Sequence, residues 1–310
     1  MRYFPSEIPR PRREAPTGGR GRLARYAQTD MPRKGFPVAQ SPSSMLDVEF
    51  AQLSDRGRTR EQNEDYLGYV IPTTPEQART HGWLFVLADG VGGQQRGEIA
   101  ARAAVESLVA GFPAAASGEP HTALLPRLVQ AANAHVLETG LKGGPAAAAM
   151  ATTVVACALR FDRAVVAHVG DSRCYLVRSG QITALTRDHT VASEQVRLGL
   201  LSGREAAAVE TRHVLSRALG ADLFVGVDTN DLQLLPADVL VLCSDGLHGS
   251  VAAPEIAHLI THSDCLTTAA EKLVTLANER DGSDNISVQL VRVRGVERMG
   301  MYRGRPYNHR

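Results

Sequence analysis

Three strongly apolar segments of this chain end at an aspartate that lies beside a glycine. The three ends are Asp89–Gly90 after VLA, Gly170–Asp171 after AHV, and Asp245–Gly246 after VLCS. Each segment is short and rich in β-branched residues, which is typical of a buried strand. A chain with this pattern brings several carboxylates to the ends of buried strands, where uncompensated negative charge is costly.

A hairpin turn is the ordinary explanation of an Asp-Gly pair, and it requires a second strand directly afterwards. Helical sequence follows Asp89 and Asp245 instead, which weakens that explanation. Asp171 precedes the strand pattern RCYLVR, so a hairpin and a functional carboxylate are equally open there. Phosphate-binding loops fail on spacing, because a dinucleotide fingerprint from Gly90 would need a glycine where Gln95 stands, and no GxxxxGK[ST] occurs.

Two further acidic motifs flank predicted strands. The motif NED places Glu64 and Asp65 after the first strand, and RDGSDN places Asp281, Asp284 and Asn285 before the last one. Carboxylates that converge at one end of a sheet repel each other unless a hard cation is bound, and Mg²⁺ and Mn²⁺ prefer oxygen ligands. No histidine stands beside these acids, which argues against zinc or non-haem iron.

The strand and helix patterns come in groups. Seven runs predict strands: VEFAQLSD, WLFVLADG, ATTVVACALR, AVVAHVGD, RCYLVRSG, VLVLCSDG and ISVQLVRVR. Four segments predict helices: GEIAARAAVESLVAGF, LLPRLVQAANAHVLETGL, PEIAHLI and CLTTAAEKLVTLANER. Because strands and helices both occur in pairs, the pattern favours an α+β fold of antiparallel sheets with helices outside. The polar helical stretch from Thr186 to His213 is expected to cover one end of the sheets.

The first 45 residues differ in composition from the rest of the chain. They hold nine Lys and Arg against three Asp and Glu, and seven of the sixteen prolines. This composition predicts a disordered, basic, proline-rich arm over 1–45, followed by one domain over 46–295 and a flexible basic tail over 296–310. The arm is either a docking tether or a solvated tail. The net charge of +1 argues against nucleic acid or an anionic membrane as main partner.

Cysteine usage and hydropathy predict the compartment. The four cysteines have no CxxC or Cys/His ligand spacing, so we expect reduced thiols and a cytoplasmic protein. The longest uncharged stretch, 143–159, is too weakly apolar to span a bilayer, and we expect no membrane segment. A monomer is expected.

Eight motifs follow one another along the chain: SDRGRTREQNEDY, LADGVGGQQRGE, ATTVV, HVGDSRCYLVRSG, LTRDHT, HVLSRALG, LCSDGL and DNISVQLV. As an ordered set they resemble the metal-dependent type 2C (PPM) serine/threonine protein phosphatases in their compact bacterial form. The resemblance covers residues 48 to about 293. It implies a four-layer αββα sandwich, in which helix pairs flank two antiparallel sheets and a metal site lies at one end.

The resemblance also implies metal ligands. Asp89 is expected to bridge two Mn²⁺ or Mg²⁺ ions, and the Gly90 carbonyl to bind one of them. The other expected ligands are Asp245 and Asp284 at the second ion, Glu64 and Asp65 directly or through waters, and Asp171 with Asp245 at a third, weaker ion.

The implied activity is hydrolysis of phosphoserine and phosphothreonine in proteins. A metal-bridged hydroxide is expected to attack phosphorus without a phosphoenzyme. Asp89 and Arg60 are the expected catalytic residues, and Arg60 and Asn285 the expected substrate-binding residues. The expected partners are phosphorylated proteins and a cognate serine/threonine kinase. The alternatives are a catalytically silent phosphoprotein-binding member of the same fold, and a two-metal phosphodiesterase or nuclease.

Two positions depart from the pattern that the resemblance implies. Val91 stands where the eukaryotic branch has a histidine that protonates the leaving group, and Gln94 stands where bacterial relatives often carry one. The proton would then come from water or from another histidine. His189 is a weak candidate, for which a structural role is preferred.

Overall fold

The fold is described from a computed structural model. It covers residues 46–91, 96–142, 150–296, 298–302 and 305–309, the last two ranges by their backbone. The predicted arm over 1–45 and Gln94 lie outside the described residues. None of the helices formed by the described residues is long and apolar enough to cross a membrane.

One five-stranded sheet carries the most apolar sequence of the chain. Its strands are β2 (Asp65–Val70), β3 (Trp83–Asp89), β4 (Val154–Arg160), β5 (Arg163–Val169) and β8 (Asp228–Gln233). They follow the order β2-β3-β4-β5-β8, and every neighbouring pair is antiparallel. The central strands β3 and β4 are apolar without alternation because both of their faces are buried.

The second five-stranded sheet joins the beginning and the end of the domain. Its strands are β1 (Leu46–Asp55), β6 (Arg173–Arg178), β7 (Gln181–Ala184), β9 (Val239–Cys243) and β10 (Ile286–Val296). They follow the order β1-β10-β9-β6-β7, again with every pair antiparallel. The pairing of β1 with β10 runs from Leu46 opposite Val296 to Asp55 opposite Ile286, with one irregularity after Asp47.

Eight α-helices occur in the described residues. They are α1 (Pro75–Thr80), α2 (Gly97–Gly111), α3 (His121–Lys142), α4 (Val191–Arg197), α5 (Gly203–Ala206), α6 (Asp245–His248), α7 (Ala253–Thr261) and α8 (Leu266–Arg280). A 3₁₀ turn spans Glu210–His213. The predicted helical cover over residues 186–213 is thus three short helical pieces.

Three apolar clusters define the layers of the domain. One lies between α2, α3 and the β2-to-β8 sheet, and contains Leu108, Leu125 and Val154. A second lies between α7, α8 and the other sheet, and contains Leu273. The third lies between the two sheets, and contains Phe85. The predicted four-layer αββα sandwich is confirmed, because each sheet buries one face on helices and the other face on its partner sheet.

The structure contains strands that the sequence analysis did not predict. β8 is polar, with the sequence DTNDLQ, and joins the sheet edge through backbone pairing with β5. Residues 298–302 and 305–309 form β11 (Arg298–Tyr302) and β12 (Arg305–His309), an antiparallel pair within the segment predicted as a flexible tail. Backbone hydrogen bonds define such strands, so the apolar periodicity used for the prediction does not register them.

Candidate metal centre and substrate cavity

Five aspartates meet at one end of the sandwich, and we call them the acid cluster. The sheet register places Asp65 directly opposite Asp89. Asp171 follows β5, Asp245 begins α6 two residues after the end of β9, and Asp284 precedes β10. Four of the five line one cavity of about 480 Å³, and Asp65 is buried behind it. The structure thus brings together the carboxylates that the sequence placed at separate strand ends.

Two glycines allow the chain to pass closely beside the acid cluster. The Gly90 amide donates to the Glu64 carbonyl at 3.1 Å, and the Asp89 carbonyl accepts from the Thr153 amide at 2.8 Å. A Cβ on Gly90 would lie 2.4 Å from the carbonyl carbon of Gly97, and a Cβ on Gly97 would lie 3.0 Å from Glu64 Oε2. The start of α2 therefore packs directly on the backbone that carries Asp89, and only glycine fits at residue 90.

Burial and mutual repulsion oppose ionisation of the acid cluster. Burial, followed by the charges of Asp65 and Asp245, raises the pKa of Asp89 well above its usual range. Burial, followed by like charges, also raises the pKa of Asp171 to about 7. The pKa of Asp65 is raised to about 7, mainly by burial, against hydrogen bonds from Ser287 and Ser244 that lower it. The cluster thus holds more negative charge than its own surroundings stabilise.

The donor set fits hard divalent cations. Asp65 Oδ2 accepts from Ser244 Oγ at 2.9 Å, whereas Asp65 Oδ1 is buried and has no hydrogen-bond partner. Among the described residues, the one salt bridge to the acid cluster joins Arg60 to Asp284 at 2.8 Å. An unpartnered buried carboxylate oxygen within an all-oxygen set suits Mg²⁺ or Mn²⁺ and does not suit zinc.

Asp171 lies in the connection that crosses from one sheet to the other. β5 belongs to one sheet and β6 to the other, so the residues between them do not form a hairpin. Of the two alternatives for Asp171, the hairpin turn is therefore wrong. Backbone contacts fix this crossing: His248 Nε2 donates to the Asp171 carbonyl at 3.0 Å, and the Gly170 amide donates to His189 Nδ1 at 3.2 Å. The Asp171 carboxyl group faces the cavity with Asp245.

The structure gives Asn285 a different role from the predicted substrate binding. The residue is 4% exposed, and its amide is fully engaged with backbone. Oδ1 accepts from the Glu64 amide at 2.8 Å, and Nδ2 donates to the carbonyls of Arg56 and Gln62, each at 2.9 Å. Asn285 therefore fixes the loop that carries Arg60 and Glu64. A sequence motif shows that a residue belongs to a site, but it does not show whether the residue contacts the substrate or positions other residues.

The far wall of the cavity comes from a segment to which the sequence analysis assigned no site residue. It is formed by residues 213–218 together with Ala221 and Asp222. The motif HVLSRALG was noted in the sequence without a role, and it supplies most of this wall. His213 is the one histidine among the described residues that line the cavity, whereas His189 is fully buried outside it.

The fold and the donor set together define a metal-dependent hydrolase of the four-layer αββα type. Comparison with known proteins gives the family: the Protein phosphatase 2C family matches residues 58–286. The chain belongs to this family, and it is therefore a metal-dependent serine/threonine protein phosphatase.

Individual relatives agree with this assignment. The serine/threonine phosphatase stp of Listeria innocua is 34% identical over 260 residues, which cover 81% of this chain and 96% of the relative. The Streptococcus agalactiae serine/threonine phosphatase structure is 32% identical with a TM-score of 0.70, covering 81% of this chain and all of that one. A structure of the PstP catalytic domain in complex with two manganese ions is 29% identical with a TM-score of 0.66, covering 80% and 98%.

Proposed function

We propose that the acid cluster binds two Mn²⁺ or Mg²⁺ ions. Asp89 would contact both ions, the Gly90 carbonyl would bind one of them, and Asp245 and Asp284 would bind the other. Glu64 and Asp65 would contribute directly or through water, and Asp171 with Asp245 would hold a third, weaker ion. The observation that carries this proposal is the convergence of carboxylates that repel one another, to which the described residues form a salt bridge only at Asp284.

The manganese complex of PstP supports the choice of metal, because that protein shares the fold at 29% identity. The pKa of Glu64 supports its place beside the ions. Burial raises this pKa, and the nearby charge of Glu98 raises it further, so a cation at the site would favour the ionised carboxylate.

Arg60 is the proposed phosphate-binding residue. Its guanidinium lines the cavity and is half-exposed, and its Nη2 donates to Asp284 Oδ2 at 2.8 Å. A cation bound by Asp284 would compete with this ion pair and leave guanidinium donors for a phosphoryl group, which a guanidinium recognises well. Arg60 therefore orients the phosphomonoester.

The chemistry follows from these roles. When bound, the metal ions supply Lewis acidity, which activates water and neutralises charge on the phosphoryl oxygens. The two serines beside the acids form hydrogen bonds that hold the site together, and neither is activated as a nucleophile. Ser244 Oγ donates to Asp65, and Ser172 Oγ shares a hydrogen bond of 2.7 Å with Thr153 Oγ1, so neither serine is paired with a histidine base. No phosphoenzyme is proposed.

His213 is the proposed donor to the leaving oxygen. His189 cannot serve, because its Nδ1 accepts from the Gly170 amide and its Nε2 lies 3.3 Å from Asp228. His213 lines the cavity, and its Nε2 accepts from Arg212 Nε at 2.7 Å, so its Nδ1–H would donate a hydrogen bond to the leaving oxygen, which takes its proton from water. His213→Ala should slow the hydrolysis of a serine phosphopeptide several-fold more than that of p-nitrophenyl phosphate, whose leaving group needs no such stabilisation. Equal slowing of both would contradict this role.

A single substitution tests the metal site. Asp89→Asn should reduce phosphopeptide turnover in Mn²⁺ by about 10³-fold or more, because one carboxylate serves two ions. Isothermal titration with Mn²⁺ should show the binding lost or strongly weakened. Undiminished turnover, or wild-type Mn²⁺ binding, would overturn the proposal.

Asp264→Asn is the matched control. Asp264 is exposed in the turn between α7 and α8, outside the cavity. The same change of charge there should leave both turnover and Mn²⁺ binding at the wild-type level. A bis-nitrophenyl phosphate assay of the same preparations should show weak hydrolysis, as expected for a monoesterase.

The remaining proposals concern the setting of the activity. The substrates are phosphoproteins, and a serine/threonine kinase must supply them. We place the protein in the cytoplasm because its four cysteines are free thiols and three of them are buried. We propose a monomer, which sedimentation of the full chain tests directly.

A further inference from the structure

Large apolar side chains are exposed mainly in one segment of the described residues. Seven such side chains are exposed, and six of them lie between residues 196 and 224: Val196, Leu198, Leu200, Val214, Leu223 and Phe224. The seventh, Leu141, lies near the end of α3. Single exposed apolar residues are common, but their concentration in the segment that also forms the far wall of the cavity suggests a contact surface.

The two most exposed of these side chains lie at the cavity edge. Leu223 is 74% exposed and Phe224 is 86% exposed. They directly follow Ala221 and Asp222, which line the cavity. Because consecutive Cα atoms are 3.8 Å apart, the Cα of Phe224 lies within about 7.6 Å of that of Asp222. The apolar pair is therefore continuous with the phosphate-binding cavity.

The backbone on both sides of this pair is anchored to α3. Asn133 Oδ1 accepts from the Gly220 amide at 2.8 Å, and Asn133 Nδ2 donates to the carbonyls of Asp222 at 2.8 Å and Leu223 at 3.2 Å. After the pair, Val225 is 8% exposed, and its carbonyl accepts from Gln130 Nε2. The backbone of the loop is thus anchored on both sides while its two largest side chains face solvent, and such anchoring lowers the entropy lost when a ligand binds.

We propose that Leu223 and Phe224 form a docking site for a large apolar residue of the substrate phosphoprotein. This inference rests on the proposed function, since the phosphorylated side chain must enter the adjoining cavity. An extended peptide advances about 3.3 Å per residue, so the docked residue lies about two to four positions from the phosphoserine or phosphothreonine. An aromatic and a leucine side chain together offer the area needed to bind one leucine, isoleucine or phenylalanine.

The test uses matched phosphopeptides and the full chain loaded with Mn²⁺. One peptide set carries a single leucine at each position from two to four residues before or after the phosphoserine, and the reference peptide carries serine throughout. The wild-type protein should prefer the best leucine peptide by about 5–10-fold in kcat/KM, the scale expected for partial burial of one apolar side chain. The double variant Leu223→Ser/Phe224→Ser should lose this preference.

Two controls separate docking from damage to the site. Hydrolysis of p-nitrophenyl phosphate, which has no flanking residues, should be unchanged in the double variant. Leu141→Ser, which removes an exposed apolar side chain at the end of α3, should keep the peptide preference. If the wild-type protein hydrolyses neither the peptides nor p-nitrophenyl phosphate, the proposed function fails before the docking site is in question.

Three results would overturn the docking proposal itself. The wild-type protein could hydrolyse all peptides equally, or the double variant could retain the leucine preference. Sedimentation could instead show a dimer that the double variant loses, which would make this surface a contact between two copies of the chain.

Discussion

Two groups of charged residues lie near the cavity, and they are arranged in opposite ways. In the acid cluster, five carboxylates lie together, and burial with mutual repulsion raises the pKa of Asp89 well above its usual range. The other group, which we call the Asp228 network, consists of Asp228, Arg217, Glu194 and His189. Its charges alternate in sign: Arg217 lies 2.9 Å from Asp228 and 3.5 Å from Glu194.

The pKa directions express the same contrast. Burial opposes ionisation of Asp228, but hydrogen bonds with His189 and Arg217 outweigh it and lower the pKa of this carboxyl group. The pKa of Glu194 is also lowered, first by its hydrogen bond with Arg197. Acidic residues near a cavity therefore indicate a cation site only when the protein leaves them unpaired. His168, His189 and Asp228 lie close enough together to hold a metal ion, but His168 Nε2 donates to the Arg187 carbonyl at 2.9 Å and Asp228 is paired with Arg217.

The largest expected difference between the two groups is in the response to metal. At a Mn²⁺ concentration 100-fold above the dissociation constant, the free energy of unfolding should rise by about 3 kcal/mol. Asp89→Asn should abolish this increment, and Asp228→Asn should retain it. Urea denaturation in EDTA and in Mn²⁺ measures the increment. Its loss in the Asp228 variant would show that the two groups are not distinct.

The next largest effect concerns His121, a buried ionisable residue that stays neutral in the folded protein. Burial, together with the charge of Arg160, lowers the pKa of His121 to about 4. Between the ordinary histidine pKa of about 6.5 and this value, only the unfolded chain binds the proton, so stability falls as pH falls. The contribution is about 2 kcal/mol between pH 7 and pH 5.

His121→Gln isolates that contribution. His121 Nε2 donates to the His81 carbonyl at 2.8 Å, and a glutamine keeps a donor there without taking up a proton. Urea denaturation at pH 7, 6 and 5 should show a smaller loss of stability in the variant than in the wild type. Parallel curves for the two proteins would refute the assignment to His121.

The smallest expected effect gives the most direct contrast, because the free energy of unfolding should change in opposite directions in the two groups. In metal-free protein near pH 8, Asp89→Asn removes a repelling charge and should raise the free energy of unfolding by about 1 kcal/mol. Asp228→Asn removes a paired charge and should lower it by about 1 kcal/mol, because Asp228 is partly exposed. Denaturation in EDTA measures both values, and equal signs would break the contrast.

Much of the fold could be predicted from local sequence pattern. The apolar runs of β3, β4, β9 and β10 were recognisable because burial on both faces requires them. β2, β7 and β8 were not predicted, because all three are edge strands with polar positions. Backbone pairing rather than apolar content determines them.

The candidate site divides in the same way. The acids were named from the ordered motifs, and the structure brings them together. The role of Asn285 could not be inferred, because its partners Arg56 and Gln62 are more than 220 positions away in the chain. The wall formed by residues 213–218 with Ala221 and Asp222 depends on long-range anchors such as the contact of Asn133 with Gly220, which no local pattern encodes.

The pairing of β1 with β10 has a consequence for synthesis of the chain on the ribosome. Asn285 fixes the loop that carries Arg60, and β10 is the only described strand that pairs with β1. A nascent chain that ends before residue 284 therefore lacks both Asp284 and the Asn285 amide that holds the loop. β1 has no strand to pair with until more than two hundred further residues have been added and β10 has emerged. If Asp284 holds a metal ion as proposed, phosphatase activity cannot begin until the domain is almost completely translated, and an incomplete chain would not dephosphorylate proteins prematurely.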